Sequence, residues 1–214
     1  MSRILIFGGH GRVSMLLAPL LAKRGDEVTA VIRKPEQSAE VSETGATPHV
    51  ADVAALDVDA LADLIAGHDA VVWSAGAGGG SAESTYAIDR DAAIRTMDAA
   101  KAAGVKRYLM VSWIGSRPDH GVPEDDDFFA YADAKLAADE HLTASELDYT
   151  VFGPGTLTLD DGTGKITLNP EGNGEVPRAD VAAVLAASLE DDSTIRRTIR
   201  FGSGETLIAE ALRG

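Results

Sequence analysis

None of the 214 residues is cysteine, so neither a disulfide framework nor thiolate chemistry is open to this chain. Cations are scarce as well: 19 Lys and Arg, only six of them lysine, face 34 Asp and Glu, for a formal charge of −15. Such a balance repels a polyphosphate backbone unless the basic residues cluster. They do not cluster. The nearest approach, Arg196-Arg197 with Arg200, reads as a solvated strand edge. Long apolar runs are also missing, since Ile4–Phe7 and Val181–Leu189 both stop well short of a bilayer crossing. The chain opens directly on a strand pattern, without a charged-then-apolar leader. The five histidines, His10, His49, His68, His120 and His141, form no metal-ligand spacing. These absences predict a cytoplasmic protein with a small-molecule partner, no nucleic acid, no membrane and no metal. Oligomeric state leaves no mark in the sequence.

Glycine is abundant, and its placement is informative. Arg3-Ile-Leu-Ile-Phe7 runs into Gly8-Gly9-His10-Gly11-Arg12-Val13-Ser14, and a helical pattern at Leu16, Leu17, Leu20 and Leu21 follows at once. A strand, a glycine turn and a helix in that order form a cradle for nucleotide phosphate. The glycines let the backbone turn sharply and approach a pyrophosphate, and the helix presents free N–H groups at its positive end. Ser14 stands where the third glycine of the fingerprint normally permits close packing.

Apolar strands and helical patterns then alternate. Strands are predicted at Ile4–Phe7, Glu27–Ile32, Ala70–Trp73, Arg107–Val111, Tyr149–Phe152 and Thr198–Phe201, and helices near 53–65, 85–103, 129–142 and 179–189. Val71-Val72-Trp73 is apolar on both faces, as a strand covered by helices on both sides must be. The economical solution is an α/β fold with a Rossmann-type doubly wound parallel sheet, in one domain spanning 1–214. Segments 113–130 and 153–176, rich in glycine, proline and acids, are expected to roof the substrate pocket.

Ligands of such sheets lie at the carboxyl ends of the strands. There Arg33 and Lys34 occupy the place where an acidic residue would grip a free ribose 2′-hydroxyl, which favours the 2′-phosphate of NADP(H) over NAD(H). Asp52 and Val53 resemble a pair lining the adenine, although Asp52 is equally suited to cap the next helix. Ser74, Ala75 and Gly76 are small enough for the backbone to pass close to the cofactor. Tyr131 and Lys135, four apart on a predicted helix, share a face, which predicts a phenol whose pKa the ammonium lowers below about 10. Trp113 is the expected aromatic contact to substrate.

Taken together, Ile6–Gly11, the Val28–Arg33 strand, Ala99–Tyr108, Val111-Ser112, Tyr131–Lys135, Pro154-Gly155 and Val176–Val181 resemble the atypical short-chain dehydrogenases/reductases. This compact NAD(P)H-binding group includes NmrA-like proteins and the biliverdin reductase B type. The resemblance implies that Ser112 polarises a substrate carbonyl, with Ser116 as an alternative. It further implies that Tyr131 exchanges the proton, that Lys135 also holds the nicotinamide ribose, and that Phe152, Pro154 and Gly155 border the nicotinamide. The implied activity is an oxidoreductase acting on a small carbonyl, quinone or flavin-like substrate. The other roles open to this family are an NmrA-like redox sensor and a nucleotide-sugar epimerase-like enzyme.

Overall fold

The computed structural model describes residues 1–213. The strands are β1 (Arg3–Phe7), β2 (Glu27–Ile32), β3 (Thr47–Val50), β4 (Ala70–Trp73), β5 (Arg107–Val111), β6 (Asp148–Pro154), β7 (Thr156–Thr158), β8 (Lys165–Leu168), β9 (Glu175–Pro177), β10 (Arg197–Ser203) and β11 (Thr206–Leu207). The main sheet runs β11-β8-β10-β6-β5-β4-β1-β2-β3. From β10 to β3 every pairing is parallel, whereas β8 is antiparallel to both β10 and β11. The helices are α1 (Arg12–Arg24), α2 (Ser38–Glu43), α3 (Val58–Ile65), α4 (Ala82–Thr85), α5 (Ala93–Ala102), α6 (Phe129–Thr143), α7 (Arg178–Ser188) and α8 (Ile208–Arg213). This is the doubly wound single-domain architecture that the alternating pattern predicts.

Side-chain alternation along the strands divides the core in two. Ile4, Ile6, Val72 and Leu109 pack with α1 and α7 on one face, while Leu5, Phe7, Val71, Trp73, Tyr108 and Met110 pack with α3, α5 and α6 on the other. Both faces need cover because both carry large apolar side chains. Trp73, fully buried beside Phe7 with ring centroids 5.7 Å apart, belongs to this core. At the opposite end of β5, half-buried Arg107 donates to Asp148 O, Thr150 Oγ1, Ser188 O and Thr194 Oγ1 at 2.8–2.9 Å, tying β5, β6 and the end of α7 together. Desolvation pulls its pKa down to about 10.

The structure departs from the sequence pattern in several places. The helix expected from residue 53 begins at Val58, because the Asp57 carboxylate accepts the Ala60 N–H at 2.9 Å and caps it. Asp52 instead closes a turn, accepting the Ala54 N–H at 3.1 Å. The helix expected at 85–103 starts at Ala82 and passes through a π-helical stretch, Tyr86–Ala92. β10 lies between β6 and β8, so Arg197 and Arg200 are not on a solvated edge. They donate to Leu212 O at 2.6 Å and Ser116 O at 2.8 Å. Segment 153–176 is organised into β7, β8 and the start of β9: β8 pairs with β10, and β7 pairs with β9 in a separate two-stranded sheet.

Candidate active site

The sheet order reverses at β1 and β4, and such a switch point opens a crevice at the strand ends. Gly8 has φ +80°, and a Cβ there would lie 2.6 Å from the Ala75 backbone; one at Gly9 would lie 2.6 Å from the Ala30 side chain. Glycine is therefore required at both positions. The N-terminus of α1 has no side-chain cap and no acidic residue in its first turn. Its free N–H groups and positive dipole end are suited to an anion. Ser14, in the third glycine position, is fully buried with no partner for its hydroxyl. Around this cradle a groove of about 280 Å³ is lined by Gly8, Gly9, His10, Gly11, Arg33, Asp52, Val53, Ser74, Ala75 and Gly76. Those residues are drawn from four separate strand ends, and the lining fits a dinucleotide phosphate.

Other residues named from the sequence fall outside the groove lining. Lys34 is exposed, its N–H bonded to Gln37 Oε1 at 3.3 Å. Arg12 lines a second cavity beside Arg178, and Val13, in the first turn of α1, is buried in the core. Phe152 is fully buried in the core and reaches the site through its carbonyl, which accepts the Ser112 N–H at 2.8 Å. Pro154 and Gly155 are buried at the end of β6. Gln37 carries no signal of this role in the sequence. It lines the groove and contacts His10 Nδ1 at 3.1 Å, while His10 Nε2 pairs with Glu40 at 2.8 Å, so the phosphate turn is anchored to the α2 region.

Tyr131, Lys135 and Asp139 recur every four residues on α6 and so share one face. Lys135 is buried, and its ammonium donates to Val111 O at 2.7 Å and Met110 Sδ at 3.3 Å. Burial pulls its pKa down against the opposing pull of Asp139 and Asp89. Ser112 and Ser116 are both buried, and both hydroxyls donate to Asp139 Oδ2, Ser116 at 2.6 Å. Asp89, buried in the π-helical stretch, accepts the Ala77 N–H at 3.0 Å. Burial raises the pKa of both Asp89 and Asp139 despite Lys135. The expected lowering of the Tyr131 pKa is overturned: burial first, then Asp89 and Asp139, raise it above the ordinary phenol value. Two carboxylates oppose the phenolate, and the ammonium is engaged elsewhere.

Tyr131 borders a cavity of about 850 Å³ formed by Ala77–Ala82, Thr85, Tyr86, Asp89 and Glu124–Tyr131. Of the two segments expected over this pocket, 113–130 contributes residues 124–130, whereas 153–176 contributes none. Thr158–Gly162 instead face the cavity beside Arg12. Ala77 lines both the groove and this cavity, so the two are contiguous. Trp113 meets Phe128 edge-on at 5.0 Å, and Phe128 lies 5.1 Å from Tyr131. Trp113 therefore buttresses the cavity wall through Phe128, and Gly115 leaves room for its indole, since a Cβ would lie 2.1 Å from the ring.

With this geometry in view, residues 8–192 match the NAD(P)H-binding family. The chain belongs to that family, binds a nicotinamide cofactor and shares the fold of the short-chain dehydrogenases/reductases. It is 33% identical over 99% of both chains to an uncharacterized sugar epimerase, YhfK, of Bacillus subtilis. Among solved structures it is similar to a putative NAD-dependent epimerase/dehydratase from Bacillus halodurans, with TM-score 0.91 and 35% identity over 99% of both chains. It is also similar to the oxidoreductase ylbE from Lactococcus lactis, with TM-score 0.88 and 32% identity over 98% of this chain and 94% of that one. No helix among the described residues is long and apolar enough to cross a membrane.

Proposed function

We propose that this chain is a cytoplasmic NADP(H)-dependent reductase of a small, uncharged carbonyl or quinone, with Tyr131 as the proton donor. One observation carries the reading: Tyr131 borders a cavity that shares Ala77 with the nucleotide groove, so a substrate there meets the phenol and the cofactor end of the groove together. When bound, the cofactor supplies a hydride to the substrate carbon. Tyr131 gives its hydroxyl proton to the substrate oxygen, and its raised pKa keeps that proton in place until the oxygen gains charge. The family resemblance makes Ser112 the polarising hydroxyl; it is buried against Asp139 on the same helix face, outside the lining of both cavities, and Lys135 fixes α6 against the end of β5. Arg33 supports NADP(H), because it lines the groove at the end of β2, where a guanidinium can contact a 2′-phosphate.

The substrate class follows from charge. The cavity lining includes Asp89 and Glu124 to Asp127 and has no lysine, arginine or histidine. It therefore disfavours a phosphate, a diphosphate or a carboxylate-bearing ligand. This argues against a nucleotide-sugar substrate, the reading suggested by the printed names of the epimerase-like relatives. A turnover screen decides it: NADPH oxidation with neutral aldehydes and quinones, an anionic flavin phosphate and a nucleotide-sugar interconversion assay. Turnover of the nucleotide sugar alone would overturn the proposal. An NADP/NADPH-dependent change in a partner's affinity without turnover would favour the redox-sensor role.

A further inference from the structure

Asp139 lies two helical turns beyond Tyr131 and one beyond Lys135, and no part of the reaction described so far uses it. Its side chain is 8% exposed. Oδ2 accepts both the Ser112 and Ser116 hydroxyls, while Oδ1 is buried without any partner. That asymmetry matters. An ionised carboxylate with one oxygen buried and unsatisfied is costly, whereas a neutral carboxyl has much less need of donors at its second oxygen. The charged groups facing it are Lys135 on its own helix, Arg200 from β10 and, through Lys135, Asp89 of the π-helical stretch; Tyr131 lies on the same face. Lys135 does not bond to it, because its ammonium is committed to Val111 and Met110. Arg200 is likewise engaged by Ser116 O. Neither cation neutralises the carboxylate by direct contact.

We propose that Asp139 is a positioning residue whose proton decides what the Ser112 hydroxyl can do. Ionised, Asp139 takes the hydroxyl hydrogen of Ser112, which then has only lone pairs to offer a substrate oxygen. Protonated, it donates its own O–H to Ser112 Oγ, and the Ser112 hydrogen is released toward the carbonyl to be polarised. No bond to carbon is made or broken in this change; one proton leaves or joins the carboxyl, and the serine hydrogen reorients. Ser116 keeps its donor bond to the carboxyl in either state. Burial acts in the same direction by raising the Asp139 pKa, so the protonated form persists to higher pH than for an ordinary aspartate.

The inference rests on the reductase reading, but its first test does not require turnover. Infrared spectra of the wild-type protein across pH should show a buried carboxylic C=O band that disappears as pH rises, and that is absent from Asp139→Asn. Asp89→Asn should remove only a second, separate band. Ser116→Ala, which takes away a donor that favours the anion, should move the Asp139 band to higher pH. In turnover, Asp139→Asn should keep activity within about threefold of wild type, because an amide N–H can donate to Ser112 as the protonated acid does. The fall in rate through the Asp139 ionisation should vanish in that variant. Ser112→Ala should lose on the order of 10²-fold, as loss of a preorganised donor to a developing oxyanion does. The proposal is overturned if no titrating band belongs to Asp139, or if Asp139→Asn is as inactive as Ser112→Ala.

Discussion

The Lys135 ammonium donates to the backbone carbonyl of Val111 at 2.7 Å, one residue before Ser112. A helix side chain thus fixes the strand end that carries the serine, and the lysine is buried at 1% exposure. Lys135→Met should therefore disturb more than charge. A charged hydrogen bond is worth about 1.5–3 kcal/mol, so turnover should fall by roughly tenfold to a hundredfold and NADPH affinity should weaken with it. Fluorescence titration of NADPH beside steady-state rates checks both. An unchanged dissociation constant would confine Lys135 to the proton step.

Tyr131→Phe removes a proton donor and little else. General acid catalysis is typically worth about 10²–10⁴-fold, and the turnover number should fall in that range with cofactor affinity preserved. Because burial, Asp89 and Asp139 raise the phenol's pKa, the free wild-type enzyme should show no tyrosine ionisation below about 10 in its kcat/KM profile. A limb below 10 that vanishes in Tyr131→Phe would mean that Lys135, and not Asp89 and Asp139, governs the phenol's ionisation.

Arg33→Ala should lower affinity for NADPH by roughly tenfold or more while leaving NADH nearly unaffected, since one charge-assisted contact is at stake. Lys34→Ala should do less, because Lys34 stands outside the groove lining. Calorimetric titration of both cofactors against both variants settles the comparison.

Stability should depend on pH through the buried carboxyls. Asp89 and Asp139 hold their protons more tightly when folded than when unfolded. The folded state then binds more protons, and stability falls as pH rises from the ordinary aspartate range, about 3.9, toward the raised values. Asp139→Asn should flatten that slope in urea unfolding. A steeper fall in the variant would contradict the assignment.

Arg107 carries a separate structural prediction. Replacing it with leucine leaves the carbonyls of Asp148 and Ser188 without this donor. A loss of about 3 kcal/mol is expected, a midpoint drop of roughly 6–12 °C in a chain of this size, with the cofactor groove intact. Thermal unfolding and NADPH binding, measured together, test both halves.

Much of this organisation is visible in the sequence because local rules and fold agree there. β2, β4 and β5 are apolar on both faces, and Gly8 and Gly9 stand where no side chain fits. What escaped depends on long-range placement. Asp139 reads as one polar residue among many on α6 until β5 brings Ser112 and Ser116 against it. Arg200 reads as solvated until β8 covers β10 and the loop after β5 receives its guanidinium. The phenol's pKa departs from the expectation of helical spacing for a related reason. Helical spacing brings Lys135 near Tyr131, but the Val111 carbonyl takes the ammonium and leaves Asp89 and Asp139 to set the field.

The most direct measurement is NADPH oxidation by a panel of neutral aldehydes and quinones, run in parallel with wild-type protein and Tyr131→Phe. The account predicts turnover in the wild type, a loss of about 10²–10⁴-fold in the variant, and matching NADPH dissociation constants for the two. Equal rates in both proteins with any substrate that turns over would contradict it, because the proton would then come from somewhere other than Tyr131.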